Sequence, residues 1–457
     1  MPAKISTVAL AKLSASVYSG RRIELPFGYS KNEKFTFSKD GMTVTAFSSW
    51  RDNNTIFVFT GTDVNGASAR DQLRDDAKIF LGRDDAQSLL NAKYYGIEAK
   101  SALDGGGSVI LIGHSLGGAH AAVAASALNE FLLDSGAVAS KLDLGSRVSA
   151  VAFDAPFMNS SYFDGQKYFN IYNIVSSADP VSAVTAALGY SFPGEVNYVA
   201  TGADPRYIAE KIQAATSYAN YGTFNNFAYS LAASDYSLAA SEALKGHGID
   251  SMVSALEAMN ASFGRPIEPG EIHLTGDDVT LYDLISTEPA ARTSVDVLRL
   301  VAAAILHAGF GNGVVGQSEL EGYMYYNYFD RFANGYSFNA VYNYVDAILS
   351  GTNAVELTFT SSWGGDVTSS IDWSSPNVES YISPDAVNSA LGYGSFSDLS
   401  NISSTGPNLG GYVPGYAAPS GGGSSLGGGG MSGWGNFEYG SGGGFSMSGG
   451  VSFSFPV

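Results

Sequence analysis

The feature that most constrains the fold is a run of four apolar residues followed at once by a glycine-serine-glycine pattern. Residues 109–112 are Val, Ile, Leu and Ile, and Gly113, Ser115 and Gly117 come next. The apolar run predicts a buried strand, and Gly-x-Ser-x-Gly predicts a sharp turn that lifts a serine hydroxyl out of a sheet edge. The alanine-rich residues 119–131 then predict a helix. The pattern indicates a nucleophilic serine; the alternative is an ordinary glycine-rich turn between a strand and a helix.

Length, charge and cysteine content exclude several classes of protein. The chain has 457 residues, and single cores stop growing near roughly 250–300 residues, so at least two regions are expected. The 24 basic and 43 acidic residues give a net charge of -19, which argues against nucleic acid and against electrostatic docking on anionic membranes. The absence of cysteine excludes disulfides and thiolate metal sites. No cofactor and no metal ion are predicted.

The N-terminal region and the hydropathy pattern bear on targeting. Lys12, Ser14 and Ser16 interrupt the apolar residues near the N-terminus, so a cleaved signal peptide is not expected. Eighteen consecutive apolar residues occur nowhere in the chain, so a membrane-spanning helix is not expected either.

Predicted strands and helices alternate over residues 8–175. Helices are predicted over residues 8–18, 69–80 and 85–103, and strands over residues 42–48, 55–60, 147–153 and 168–175. A turn at residues 52–54 makes the first two strands a hairpin. The alternation predicts an α/β fold with a mostly parallel sheet covered on both faces. In such sheets functional groups gather beyond the carboxyl ends of the strands, where Thr62, Ser115, Asp154 and Asp179 lie.

The composition predicts three regions: 1–264 as the main domain, 265–405 as an accessory region, and 406–457 as a Gly/Ser-rich tail. Arg, two prolines and Gly at residues 265–270 indicate the first boundary. The accessory region contains a predicted helix over residues 295–307 and a strand over residues 355–359. The tail carries scattered aromatic residues and predicts flexible segments or short strands on a partner surface.

A helical stretch is predicted between a strand-end aspartate and the next histidine. Residues 209–244 are rich in alanine and tyrosine and carry little charge. Two interpretations stay open: a cap over a pocket, or ordinary helices that cover the sheet.

Histidine is needed because a serine hydroxyl is a poor nucleophile until an imidazole takes its proton. Five histidines are present. Within the turn and the helix after it, His114 and His120 are predicted to be structural, and His307 is predicted to lie in the core of the second region. His247 is flanked by glycines just before a helix predicted over residues 251–259, which makes it the preferred base. His273 is its main rival.

The remaining parts of a serine hydrolase site are a carboxylate and two N–H donors. Asp179 follows a predicted strand and precedes Pro180, which stiffens the loop, so Asp179 is the preferred acid and Asp154 its rival. One donor is expected to be the backbone N–H of Leu116, at the start of the helix after the serine, where the helix dipole adds to it. The other is expected to be the backbone N–H of Thr62.

Four motifs in order resemble those of the class 3 lipases. They are FVFTGT at residues 57–62, GHSLGGA at 113–119, FDAP at 153–156 and DPV at 179–181. The resemblance covers residues 8–259 and implies an α/β-hydrolase fold and hydrolysis of lipid esters. It also implies a triad of Ser115, Asp179 and His247, whose chain order is that of α/β-hydrolases, with Thr62 as the second oxyanion donor. A lid is implied within residues 63–84.

Two positions depart from the family pattern. Thr60 stands where the family usually has arginine, and Asp154 stands where it usually has glycine. The family pattern therefore does not define the local packing around the predicted site.

The tail resembles, more loosely, the uncleaved C-terminal signals of bacterial proteins that ABC-type exporters secrete. It is rich in glycine, lacks lysine and ends in apolar residues. The chain is therefore expected outside the cell, with the cytoplasm as the alternative. Secreted lipases of that kind usually carry Gly-Gly-x-Gly-x-Asp calcium repeats, and the sequence has none, so calcium is not predicted.

The leading functional hypothesis is a serine hydrolase that cleaves carboxylic esters of lipids at a lipid–water interface, through an acyl-enzyme on Ser115. Triacylglycerols and phospholipids are both open as substrates. The alternative is a binding or assembly protein on a hydrolase scaffold, with the glycine-rich tail supplying the interactions. Labelling by a fluorophosphonate separates the two, because only an activated serine reacts.

Overall fold

The structure is a computed structural model. It describes residues 5–18, 20–23, 25–63, 69–80, 84–104, 106–220, 238–239, 242–274, 278–287, 354–360, 366–372, 437–440, 444–447 and 451–453. The chain divides into two compact units. The first comprises Met1–Ile208 and Glu242–Ala290, and the second comprises Ala209–Ser241 and Ala291–Val457.

An eight-stranded sheet forms the centre of the first unit. In chain order its strands are β1 (Tyr29–Lys31), β2 (Phe37–Lys39), β3 (Met42–Ser49), β4 (Thr55–Thr60), β5 (Val109–His114), β6 (Val148–Phe153), β7 (Ile171–Ser176) and β8 (Glu195–Val199). The spatial order is β1-β3-β4-β5-β6-β7-β8, with β2 also paired to β3. The strands from β4 to β8 are parallel, whereas β1, β2 and β4 each run antiparallel to β3. The prediction of a mostly parallel α/β sheet is confirmed.

The helices of the described residues, in chain order, are α1 (Thr7–Ser16), α2 (Ala69–Phe80), α3 (Gln87–Glu98), α4 (Leu116–Asp134), α5 (Lys141–Leu144), α6 (Pro180–Ala187), α7 (Pro205–Asn220), α8 (Ile249–Phe263) and α9 (Leu281–Thr287). Single turns of 3-10 helix occur at Ala99–Ala102, Ser160–Phe163 and Pro269–Glu271. Residues 242–247 are also helical.

Alternate residues of the central strands enter two separate apolar cores. Phe57, Phe59 and Leu111 point to the side covered by α3 and α4. Their neighbours Ile56, Val58 and Ile112 point to the opposite side, where α1 and α8 pack against each other. Because the side chains of a strand alternate between the two faces of a sheet, strands that are apolar throughout require helices on both faces. The sheet is therefore the middle layer of three.

The predicted elements of the first unit are confirmed in kind, with small differences at their ends. The hairpin forms as an antiparallel pair of β3 and β4. The predicted helix over residues 8–18 is α1, and the predicted helix over residues 85–103 is α3 followed by a 3-10 turn. Strands β1, β2 and β8 were not predicted.

The predicted boundary at residues 265–270 lies inside the first unit. Ile267 and Ile272 are buried in the core that also holds α1 and α8. The hydroxyl of Thr7 donates a hydrogen bond of 2.6 Å to the carbonyl of Ile267. The division into regions 1–264, 265–405 and 406–457 stays a prediction.

The second unit contains two antiparallel sheets among its described residues. One pairs β9 (Ala354–Thr360) with β10 (Asp366–Asp372), and β9 contains the strand predicted over residues 355–359. The other joins β11 (Phe437–Gly440), β12 (Gly444–Met447) and β13 (Val451–Phe453), all within the predicted tail. The predicted helix over residues 295–307, with His307, lies outside the described residues, as do residues 221–237 of the predicted helical stretch.

Candidate active site

The serine lies in a sharp turn between β5 and α4. Ser115 has φ 55° and ψ -129°, and α4 begins at the next residue, Leu116. A non-glycine residue with positive φ is strained and persists only where the surrounding structure fixes it. Glycine is needed nearby, because a Cβ on Gly117 would lie 2.2 Å from the carbonyl oxygen of Phe59. The buried strand and helix therefore hold the serine hydroxyl at the carboxyl edge of the sheet.

Ser115, His247 and Asp179 form a continuous chain of hydrogen bonds. His247 Nε2 lies 2.9 Å from Ser115 Oγ, and His247 Nδ1 lies 2.7 Å from Asp179 Oδ1. With its proton on Nδ1, the imidazole donates to the carboxylate and accepts the serine hydroxyl on Nε2. The Asp179 side chain is fully buried and that of His247 is 18% exposed. The serine therefore has a proton acceptor in place, oriented by a buried carboxylate.

Asp179 is held rigidly at the start of α6. Its two carboxylate oxygens accept hydrogen bonds from the backbone N–H groups of Val181, at 3.1 Å, and Ser182, at 2.8 Å. Pro180 occupies the first position of this helix, where the missing N–H costs no hydrogen bond. The Asp179 side chain therefore caps the N-terminus of this helix.

His114 braces the backbone of His247. His114 Nδ1 accepts a hydrogen bond of 2.9 Å from the Tyr18 hydroxyl, and its Nε2–H donates one of 2.7 Å to the carbonyl of His247. Burial lowers the pKa of His114 to about 3, so its ring is neutral, as this pattern of one donor and one acceptor requires. A Cβ on Gly246 would lie 2.6 Å from the carbonyl oxygen of Ala178, which explains one of the glycines beside His247.

The contacts of His114 and Tyr18 with each other and with His247 were not predicted from the sequence. His114 was predicted to be structural, and its ring centroid lies 5.0 Å from that of His247. Nothing near Tyr18 in the sequence signals a partner 96 residues away.

The predicted oxyanion donors lie at two neighbouring strand ends. Leu116 is the first residue of α4, where backbone N–H groups have no partner within the helix. Thr62 follows β4, and its hydroxyl donates a 2.5 Å hydrogen bond to Asp76 on α2. Burial raises the pKa of Asp76 to about 7. The backbone N–H of Asp63 donates to Gln72, also on α2, so this helix fixes the loop after β4.

The rivals His273 and Asp154, and the polar residues His120 and Thr60, each have different surroundings from those of His247 and Asp179. His273 is exposed, and His120 is buried on α4 with no hydrogen-bond partner for either ring nitrogen among the described residues. Asp154 is buried at the end of β6, where its Oδ1 accepts from the backbone of Ser176 instead of from an imidazole. Thr60 is buried, and its hydroxyl also has no partner among the described residues.

Part of the chain matches a known protein family. Residues 91–188 match the family model described as lipase (class 3). The matched stretch contains Ser115, Leu116 and Asp179, whereas Thr62 and His247 lie outside it. This match confirms the prediction of a carboxylic ester hydrolase.

Several solved lipase structures resemble part of this chain. Lip2 lipase from Yarrowia lipolytica is 17% identical, with 42% of this chain and 77% of that chain covered and a TM-score of 0.29. A lipase from Rhizopus microsporus var. chinensis is 18% identical, with 37% and 61% covered and a TM-score of 0.26. The extracellular lipase LipA from Serratia marcescens is 17% identical, with 34% and 28% covered and a TM-score of 0.24.

Other comparisons and searches gave no match. A search of curated protein sequences finds no protein that matches this chain. Within the described residues, no helix has the length and apolar character that crossing a membrane requires. The same part of the chain contains no group of three or more histidine, aspartate or glutamate side chains that could hold a metal ion.

Proposed function

We propose that this protein hydrolyses carboxylic ester bonds of lipids through an acyl-enzyme, with Ser115 as nucleophile, His247 as general base and Asp179 as the acid that orients the histidine. One observation carries the proposal. The imidazole of His247 lies 2.9 Å from Ser115 Oγ on one side and 2.7 Å from Asp179 Oδ1 on the other. Hydrogen-bond contact between nucleophile, base and orienting group is the geometry that activates a serine.

The reaction follows from this geometry in two halves. Ser115 Oγ attacks the ester carbonyl carbon while its proton passes to His247 Nε2, and the imidazolium that forms is stabilised by Asp179. The oxyanion accepts hydrogen bonds from the backbone N–H groups of Leu116 and Thr62. Collapse of the intermediate expels the alcohol, which takes the proton from His247 and leaves an acylated serine. Water then attacks the acyl-enzyme through the same base, and the fatty acid leaves.

The substrate is an acyl ester presented at a lipid–water interface. The net charge of -19 disfavours electrostatic attraction to anionic surfaces. Binding to lipid therefore depends on apolar contacts more than on charge. Triacylglycerols and the acyl esters of phospholipids share the bond that is cleaved. A panel of triacylglycerols, zwitterionic phospholipids and short soluble esters, assayed with the full chain, separates them by relative kcat/KM.

Substitution of the nucleophile tests the proposal directly. We expect Ser115→Ala to lower kcat on a p-nitrophenyl acyl ester on the order of 10⁶-fold, to background, because no other hydroxyl occupies that position. The same variant should not react with a fluorophosphonate. The far-ultraviolet circular dichroism and the thermal midpoint should remain close to those of the native chain.

Ser101→Ala is the matched control for this substitution. The Ser101 hydroxyl donates only to the carbonyl of Glu98 on the surface of the first unit, so its loss should leave hydrolysis and labelling intact. Hydrolysis or labelling retained by Ser115→Ala would refute the proposed nucleophile. A native chain that neither hydrolyses esters nor reacts with the probe would favour the binding protein instead.

A further inference from the structure

A second buried carboxyl group lies behind the proposed triad. Asp154 is 0% exposed, at the end of β6, with φ 49°. Glycine would adopt this backbone without strain, whereas an aspartate there is tolerated at some cost. The proposed mechanism gives Asp154 no step. A buried, strained aspartate therefore requires an explanation in terms of its side chain.

The Asp154 side chain continues the pairing of β6 and β7 beyond its last main-chain pair. The paired residues end at Phe153 and Ile174, and the N–H of Asp154 still donates to the carbonyl of Ile174, at 3.0 Å. At the next step the N–H of Ser176 donates to Asp154 Oδ1, at 2.7 Å. A side-chain carboxyl oxygen of Asp154 thus takes the place of the backbone carbonyl that would accept the next hydrogen bond between β6 and β7.

The segment that Asp154 holds is the one that carries Asp179. The carbonyl of Ser176 accepts the N–H of Asp179, at 3.0 Å, and the Ser176 hydroxyl accepts the N–H of Ala178, at 3.3 Å. Ser176 is therefore the anchor of the loop from residue 176 to residue 179. Asp154 directly follows Phe153, the last residue of β6, and the carbonyl of Phe153 accepts the N–H of Ser115. One side chain connects the strand beside the nucleophile to the loop of the acid.

We propose that Asp154 is a positioning residue that holds the loop from Ser176 to Asp179, and through it the triad carboxylate, by accepting the backbone hydrogen bond of Ser176. The proposal rests on the proposed function, because it assigns Asp179 to the triad. It explains why a side chain with a hydrogen-bond acceptor occupies a left-handed position that glycine would fill without strain.

Asp154 performs this role as a neutral acid. Its Oδ2 is buried and has no partner among the described residues, which is where a proton can sit. Burial, and then the charge of Asp179, raise the pKa of Asp154 well above its ordinary value. Asp179 is the charged group that acts on Asp154, and Asp179 is itself hydrogen-bonded to His247. Asparagine reproduces the neutral acid closely, since its amide oxygen accepts the same hydrogen bond and its NH₂ replaces the protonated oxygen.

Three variants of the full chain test the inference, each assayed for kcat and KM on a soluble p-nitrophenyl ester. Asp154→Gly relieves the backbone but removes the acceptor, and we expect kcat to fall about tenfold to hundredfold with KM within about twofold, since small displacements of catalytic groups cost rates of this order. Asp154→Asn should restore most of kcat. Asp40→Gly is the matched control, because Asp40 has φ 47° but lies at the surface.

Equal kcat values for Asp154→Gly, Asp40→Gly and the native chain would overturn the inference. So would a loss in Asp154→Asn as large as that in Asp154→Gly, because the acceptor alone would then not suffice. Ser115→Ala, measured beside them, separates this failure from a failure of the proposed function: if the native chain and Ser115→Ala have equal rates, the triad itself is wrong.

Thermal unfolding keeps the inference testable if Asp154→Gly does not fold. A raised pKa in the folded chain means that protonation of Asp154 stabilises the fold at low pH, and that this contribution is lost as the pH rises from about 3.8 upward. The thermal midpoint of Asp154→Asn should therefore equal that of the native chain near pH 4 and exceed it at pH 7. An asparagine variant that is less stable at both pH values, or that loses kcat, contradicts the inference.

Discussion

The conformation of Ser115 shows how much of this site depends on single residues. With φ 55° and ψ -129°, the serine stores strain on the order of 1–3 kcal/mol, which an isolated turn would release. The backbone around it is closely packed, because a Cβ on Gly117 would lie 2.2 Å from the carbonyl oxygen of Phe59 and a Cβ on Gly113 would lie 2.2 Å from that of Gly117. In the proposed function, this packing holds the Ser115 hydroxyl beside His247.

Substitution of His120 tests how a buried histidine changes the stability of the fold and the dependence of that stability on pH. Burial lowers its pKa to about 3, so the chain must unfold, or bury a charge, to protonate it. Its contribution to stability is complete above pH 6.5 and is lost progressively as the pH falls from 6.5 toward 3. We expect His120→Leu to stabilise the fold by about 1–3 kcal/mol at pH 7, by removing an unpartnered polar ring, and by more at pH 4.

Urea unfolding of His120→Leu at the two pH values measures this effect. His273→Leu is the control, because His273 is exposed and its replacement removes no buried ring. A gain for His120→Leu that is the same at pH 4 and pH 7 would show that the pKa of His120 is ordinary in the folded chain.

The sequence predicted the residues of the candidate site but not the contacts that hold them. Ser115, Asp179 and His247 could be selected because each has chemistry of its own and a place after a strand or before a helix. Tyr18 and His114 could not, because their role depends on a contact across 96 residues and another across 133. Asp154 was noticed as a departure from a family pattern, yet its link to Ser176 depends on how two strand ends meet.

At the scale of elements, periodicity predicted the long segments and missed the short ones. The apolar strands and the hairpin of β3 and β4 follow from sequence, since uninterrupted apolar residues or strict alternation leave few other interpretations. Strand β8 was missed because it has five residues, including glutamate and asparagine. Strands β1 and β2 have three residues each, too few for a period to be recognised.

The contact of α3 with α4 gives a test at this scale. The two helices approach so closely at Gly96 that a Cβ there would lie 2.1 Å from the carbonyl oxygen of Ala124. Alanine favours a helix over glycine by up to about 1 kcal/mol, but the clash is with backbone and cannot be relieved by a rotamer. We expect Gly96→Ala to destabilise the fold by about 1–3 kcal/mol, measured by urea unfolding.

Gly145→Ala is the control for the helix contact. A Cβ at Gly145 would lie 3.4 Å from the ring of Phe169 and 3.9 Å from the Cβ of Asn170, both ordinary contact distances, so the free energy of unfolding of Gly145→Ala should stay within about 0.5 kcal/mol of native. If Gly96→Ala proves as stable as this control, α3 and α4 are farther apart than described.

At the scale of the molecule, the first unit extends beyond the region that resembles a lipase. Helix α9 packs against α6, the helix that Asp179 caps. The N–H of Leu281, at its start, donates to the carbonyl of Ser177, at 2.7 Å. Composition could not reveal this, because prolines and a glycine at residues 265–270 are typical of a linker whether or not the chain returns to the same core.

Truncation tests where the first unit ends. A chain that stops at residue 264 lacks Ile267, Ile272, Leu281 and Ile285, all at most 3% exposed. Each such side chain contributes about 1.5–3 kcal/mol on burial, and a domain has only about 5–15 kcal/mol in total. We expect this chain to lose cooperative unfolding and esterase activity, whereas one that stops at residue 290 keeps both. Cooperative unfolding by the shorter chain would place the boundary where composition suggested.

The spacing of the proposed triad along the chain determines when the site can exist. Its nucleophile and base are 132 residues apart, and helix α8, which follows the histidine, packs against the first helix of the protein. During translation the serine therefore emerges from the ribosome long before the imidazole that would activate it. A nascent chain is chemically inert toward the lipids of the cell that makes it until its two distant parts have come together.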